Sequence, residues 1–216
     1  VNVSAAKQSS AAVVILASAS PRRTELLTQL GVAHRVVPAH VDERRAAGES
    51  VEACVRRLAT SKALEVQVAL AAVGGSAAAV ELAVLGADTA VVVDDDLLGK
   101  PRDRADALAM LARLSGRSHQ VLSAVALASA NGLQCILSRS EVRFRALQAR
   151  ECAAYWDSGE PRDKAGAYAI QGLGAVFVEE LRGSYSGVVG LPLFETARLL
   201  AAAGVATWYA PAATHP

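Results

Sequence analysis

The chain has 216 residues, long enough for one large domain or two small ones with a buried core. It is 52% hydrophobic but only 4% aromatic, so the core is expected to be built mainly from Ala, Val and Leu. Lys plus Arg, 22, nearly cancel Asp plus Glu, 21, which excludes the basic excess of a generic nucleic-acid binder and leaves a small molecule as the expected partner.

Residues 1–12 carry no periodicity and read as a flexible leader. Lys7 followed by Ala11 to Ala19 vaguely resembles a signal peptide, but its strongly apolar part is only Val13 to Leu16, which reads better as a buried first strand. Ser20 as N-cap, Pro21 at the first helical position and Gly31 as terminator predict a helix over Pro21 to Leu30. Its first turn presents unpaired N–H groups beside Arg22 and Arg23, an anion site by construction, although solvated arginines on an ordinary capped helix fit those six residues equally. Val32 to Val37 reads as a strand stopped by Pro38, with the acids Asp42 and Glu43 just beyond it.

Val51 to Leu70 has Val55, Leu58, Ala59, Leu64 and Val68 at helical spacing, and Lys62 on that helix reads by default as a solvated residue. The weakly charged run from Val66 to Ala87 is broken by Gly74 and Gly75, and reads as a helix end, a loop and a strand rather than a membrane span. The next strand is expected to end at Asp88, an acid so flanked by apolar sequence that burial would force it to be paired, metal-bound or shifted in pKa. Asp94, Asp95 and Asp96 read as an exposed turn, and Gly99 and Pro101 stiffen the backbone around Lys100. A helix over Asp103 to Leu114 follows, then a hairpin of two long strands, His119 to Leu127 and Leu133 to Phe144, turned at Asn131-Gly132. A short helix near Glu151 to Trp156 leads into an irregular, polar segment from Gly159 to Gly172, a length that points to function. Ala175 to Leu181 reads as a strand, Gly183 to Gly187 as a turn, and Gly190-Leu191-Pro192 as the start of a helix ended by Gly204. No repeat or linker divides the chain, so 13–204 is one expected domain and 205–216 a tail.

The scattered Cys54, Cys135 and Cys152 suit a reducing, cytoplasmic setting and offer no CxxC metal site. His34, His40, His119 and His215 form no HxxxH pair, so any metal would be held by oxygen. The absence of GxxxxGK[ST] excludes a P-loop, and no GxGxxG follows a strand. What remains is a set of donors, Ser18, Arg22, Arg23, Lys62, Lys100 and Lys164, with the acids Glu43 and Asp88. Cations for several phosphoryl oxygens, plus carboxylates able to hold a divalent ion, are what hydrolysis of a nucleotide polyphosphate requires.

From about Val14 to Leu200 the sequence resembles the Maf family of nucleoside triphosphate pyrophosphatases. The resemblance rests on Ser18-Ala19-Ser20-Pro21-Arg22-Arg23, Gly86-Ala87-Asp88-Thr89, Gly99-Lys100-Pro101, Leu114-Ser115-Gly116-Arg117, the run Asp163 to Gly172 and Gly190-Leu191-Pro192-Leu193, in that order. It implies an α/β fold related to the inosine triphosphatases: an elongated, twisted mixed sheet flanked by helices around a central cleft, commonly a homodimer. It also implies water attack at the α-phosphorus, giving a nucleoside monophosphate and pyrophosphate. Asp88 resembles the family's proton acceptor and, with Glu43, a holder of Mg²⁺ or Mn²⁺. Arg22, Thr89 and Gln171 fall on the specificity positions, and Arg22 and Gln171 resemble the dTTP/UTP-type branch, modified pyrimidine nucleotides among its substrates. Ser18, Arg23, Lys62 and Lys100 resemble the rest of the substrate pocket, with Lys164 beside it. Leu122-Ser123-Ala124 departs from the family's usual Tyr-Thr-Gly, a change expected to bear on the base pocket; the Gly75-Ser76 region resembles an insertion. The alternatives are a pyrophosphatase for 7-methyl-GTP or purine nucleotides, and a non-catalytic nucleotide-binding regulator of cell division or septum formation.

Overall fold

The structure is a computed structural model in which residues 13–74 and 82–209 are described. The leader 1–12, the Gly75-Ser76 region and residues 210–216 lie outside them. The fold is mixed α/β: a seven-stranded sheet in the order β2-β1-β3-β5-β6-β7, with β4 also paired to β3. Its strands are β1 Val14–Leu16, β2 His34–Val36, β3 Val84–Val93, β4 Asp96–Leu98, β5 Ser118–Ser129, β6 Gly132–Phe144 and β7 Val178–Arg182. The first three run parallel to one another, and the rest are antiparallel to their neighbours. The helices are α1 Pro21–Gln29, α2 Val51–Gly74, α3 Arg104–Leu114, α4 Ala149–Asp157, α5 Tyr185–Val189 and α6 Leu193–Ala202.

Each face of the sheet carries its own core. On one face α2 packs through Val55, Ala59, Ala63 and Val66 against Ile15, Val84, Ala90, Ala124 and Ala126. The other holds Leu26 and Leu27 of α1, Leu111 and Leu114 of α3, Tyr155 of α4 and Leu199 of α6, with Phe144, Tyr168 and Phe177 between them. The few aromatic rings are thus concentrated on one face, and small aliphatic side chains fill the other.

Several boundaries differ from the sequence reading for local physical reasons. Asp88 does not end a strand: β3 continues from Val84 through Val93, because Asp88 and Thr89 keep full ladder pairing with Ala124 and Ser123 of β5. The second strand shrinks to the three residues His34–Val36, and β7 starts only at Val178, since Leu173–Phe177 form a 3₁₀ turn. Helix α2 runs on to Gly74. The Gly183 to Gly187 turn is the entry to α5, capped by the Ser184 hydroxyl accepting from the Gly187 N–H. The last helix starts at Leu193, with Pro192 at its N-cap. Asp94 and Asp95 do make a turn, in the left-handed backbone region, while Asp96 enters β4. Of the tail, Val205 is buried and the Trp208 N–H donates to the Leu30 carbonyl at 2.7 Å, closing the end of α1.

Candidate active site

The cleft is a consequence of strand pairing. One edge of β3 is occupied by β5 along nearly its whole length. On the other edge β1 pairs only with Val84 and Leu85, and β4 only with Val91 to Val93. The stretch from Gly86 to Ala90 therefore has an open edge, with β1 turning away into α1. A cavity of about 590 Å³ opens there, and Ser18, Arg22, Arg23, Glu43, Lys62, Asp88, Thr89, Lys100, Lys164 and Gln171 all line it.

The β1–α1 connection sets the arginines. Ser20 takes the N-cap position, yet its side chain makes no capping bond; the turn is held instead by the Ser20 N–H donating to Ser18 Oγ at 3.2 Å. Arg23 is then fixed by donation from Nε to the Gly190 carbonyl at 2.8 Å, from Nη1 to Ser18 Oγ at 3.1 Å and from Nη2 to Thr89 Oγ1 at 3.5 Å. Burial lowers its pKa against the opposing pull of Asp88. All three of these partners are neutral, and among the described residues the anionic influence on this half-buried guanidinium comes through space from Asp88 and Glu43. Arg22 is likewise lowered by burial, opposed by Asp163 and Glu25, and its Nε is buried with no hydrogen-bond partner among the described residues.

Asp88 faces α2. Lys62, far from being a solvated helix residue, is 7% exposed, and its Nζ lies 2.8 Å from Asp88 Oδ1 and 2.7 Å from Glu43 Oε1. That reach depends on Gly86, two residues before Asp88 on the same face of β3. A Cβ there would collide with the Ala59 carbonyl and lie 2.7 Å from the Ala63 nitrogen, so only glycine lets the helix come this close. Burial pushes the Asp88 carboxyl above the ordinary carboxylate range, although Lys62 and Arg23 pull it back. For Glu43, burial raises the pKa but the hydrogen bond and charge of Lys62 outweigh it, and the net shift is downward. A half-buried carboxylate with a raised pKa, paired to an ammonium, is suited to accept a proton.

The two carboxylates that converge on the Lys62 ammonium are also the acids that face the cleft. Glu43 and Asp88 fit the hard, oxygen-rich donor chemistry of a divalent cation site. Among the described residues there is no cluster of three or more His, Cys, Asp or Glu side chains, so substrate or water would have to complete such a shell.

Two supporting groups were not singled out as site residues from sequence. The Gly190 carbonyl accepts from both Arg23 and, at 3.4 Å, the Thr89 hydroxyl. Its motif reads in sequence as a helix start and as part of the family resemblance, neither of which points to the carbonyl. Ser123, in the segment that departs from Tyr-Thr-Gly, is 1% exposed; its hydroxyl donates to the Gly187 carbonyl at 2.6 Å and lies 3.1 Å from Thr89 Oγ1. It braces the cleft wall from behind. Lys164 pairs with Asp163 at the far side, and the Gly166 N–H donates to the Gly99 carbonyl at 3.0 Å, tying that loop to the Lys100 turn.

The sequence profile of a family described as "Maf-like protein" matches residues 13–203. A protein of Methylobacillus flagellatus named dTTP/UTP pyrophosphatase is 50% identical over 193 residues, covering 89% of this chain and 94% of that protein. One of the same name from Methylococcus capsulatus is 52% identical, covering 90% of this chain and 92% of its own length. A third, from Saccharophagus degradans, is 49% identical, covering 94% of both chains. With a profile matched over nearly the whole domain and relatives at half identity, this chain belongs to the Maf family.

Proposed function

We infer that this chain is a nucleoside triphosphate pyrophosphatase that hydrolyses dTTP and UTP, modified pyrimidine nucleotides included, and so clears the nucleotide pool. The substrate assignment is supported by the relatives of that name at 50% and 52% identity across most of both chains. The observation that carries the chemistry is the half-buried Asp88 beside Lys62 and within the field of Arg23, in a cleft lined with cations.

In this reading the triphosphate lies against Arg23, Lys62 and Lys100, with Ser18 and Thr89 orienting it. Asp88 takes a proton from the water whose oxygen attacks the α-phosphorus. The bond from that phosphorus to the bridging oxygen breaks, and pyrophosphate leaves with its charge held by the cations. Arg22, Thr89 and Gln171 select the base, the Gln171 amide matching the imide edge of uracil or thymine. Glu43 and Asp88 would hold Mg²⁺ or Mn²⁺, which when bound neutralises phosphate charge and lowers the pKa of water. A cytoplasmic location is supported by the free cysteines Cys54, Cys135 and Cys152. Among the described residues no helix is long and apolar enough to cross a membrane. The near-neutral charge balance supports a substrate other than nucleic acid, and a homodimer is proposed from the resemblance.

Incubation with a panel of nucleoside triphosphates and Mg²⁺ or Mn²⁺ tests this. Pyrophosphate is expected, fastest from dTTP and UTP. Preference for purines or 7-methyl-GTP overturns the substrate class, orthophosphate overturns the reaction, and tight binding without turnover supports a regulator instead.

A further inference from the structure

The segment carrying Gln171 is irregular, yet it is held by a carboxylate and a phenol that play no part in the chemistry above. Tyr155, on α4, donates its hydroxyl proton to Glu160 Oε1 at 2.7 Å and accepts from the Ala169 N–H at 3.0 Å. Glu160 in turn accepts from the Leu173 N–H through Oε2 at 2.9 Å and from the Gly174 N–H through Oε1 at 3.1 Å. The backbone is thereby pinned on both sides of Gln171, at 169 and at 173–174. The turn itself closes with the Gly172 N–H donating to the Ala169 carbonyl at 3.2 Å. Glycines on either side of Leu173 make the approach possible. A Cβ on Gly172 would collide with the Glu160 carboxylate, and one on Gly174 would lie 2.7 Å from the Tyr155 hydroxyl and 2.9 Å from the Ala169 carbonyl. Tyr155 is itself locked edge-on against Phe177, ring centroids 5.0 Å apart, in the aromatic core. Gln171 is exposed and its side chain has no hydrogen-bond partner among the described residues, so its placement over the cleft comes from the backbone: this clamp together with the buried Tyr168 to Ile170 before it.

We propose that Glu160, with Tyr155, is a positioning residue for base selection: it fixes the turn that presents Gln171, and through that turn sets the preference for uracil and thymine over other bases. This rests on the assignment of Gln171 to base recognition. A carboxylate accepting from two main-chain N–H groups and a phenol holds the turn more tightly than neutral acceptors could, because charge-assisted bonds are roughly twice as strong. A glutamine side chain has only one acceptor oxygen, so Glu160→Gln leaves at least one of those N–H groups without a partner while keeping the volume.

The experiment compares kcat/KM for dTTP and CTP in wild type, Glu160→Gln, Gln171→Ala and the double variant, with Tm recorded for each. Glu160→Gln is expected to cut the dTTP to CTP ratio about fivefold, mainly through KM for dTTP, the scale of one neutral hydrogen bond. In the double variant the ratio should equal that of Gln171→Ala alone, since the clamp acts through Gln171. A second variant, Tyr155→Phe, frees the Ala169 N–H and is expected to lower the ratio in the same direction. If Glu160→Gln slows both nucleotides equally, or lowers Tm with the ratio intact, the residue is merely structural and the proposal fails while the Gln171 assignment stands. If Gln171→Ala itself leaves the ratio unchanged, the recognition assignment fails and takes the proposal with it.

Discussion

Asp88 and Thr89 are neighbours on one strand, but the pleat sends them to opposite faces of the sheet and into different environments. Asp88 faces α2 and meets Lys62 and Glu43 across a layer of Ala and Gly. Thr89 faces the aromatic side, where its hydroxyl and the Gly190 carbonyl hold Arg23. On the first face the groups are charged and close; on the second the half-buried Arg23 guanidinium is held by neutral oxygens. On the proposed reading the two faces divide the work: the α2 side holds the carboxylate that takes a proton, and the α1 side the cation that meets the phosphate chain.

The largest effect should come from breaking the first side. Asp88→Asn keeps the shape and removes the base, so kcat should fall by about 10²- to 10⁴-fold in a pyrophosphate-release assay. Its stability should move the other way. Because burial raises the folded-state pKa of Asp88, the folded chain holds that proton more tightly than the unfolded one. Its stabilising contribution is therefore present at low pH and lost as pH rises through the folded pKa. Asparagine stays neutral throughout, so Tm at pH 7 should be unchanged or higher; a clear drop in Tm would mean that the ionised acid stabilises the fold.

Breaking the second side should cost less. Arg23→Lys keeps the charge but cannot bond Gly190, Ser18 and Thr89 together from one fork. An increase in KM for nucleotide of about tenfold, with a smaller change in kcat, is expected from the loss of one or two charge-assisted bonds. An equal loss in kcat would place Arg23 on the reacting centre rather than on the phosphate chain.

The smallest effect sharpens the link between the two. Lys62 lowers the Asp88 pKa, so Lys62→Met should raise it and move the acid limb of kcat/KM to higher pH. The sign follows from the base being active only when deprotonated. A uniform fall in rate with an unmoved limb would show that Lys62 binds phosphate without tuning the acid.

Much of this was legible before any coordinates. Pro21 and Gly31 bounded α1, Asn131-Gly132 set the β5–β6 hairpin, and Asp88 stood out as an acid inside an apolar run. Lys62 was not legible as a buried group, since helical periodicity marks a face and does not say how closely the next layer approaches. That approach is decided by Gly86, on another element. Ser123 and Glu160 escaped for the same reason: each acts on main-chain groups of a different element, and such bonds leave no spacing signature.

What the sequence by itself determined is most of the longer elements and the chemical inventory, because caps, turns and apolar periods act over a few residues and motifs preserve residue type. The tertiary structure alone decided that β3 runs unbroken through Asp88, that its edge lies open between β1 and β4, and that Lys62 and Arg23 reach neighbouring residues from opposite faces. Those outcomes depend on strand pairing and on how closely layers pack, which are set between elements distant in the chain.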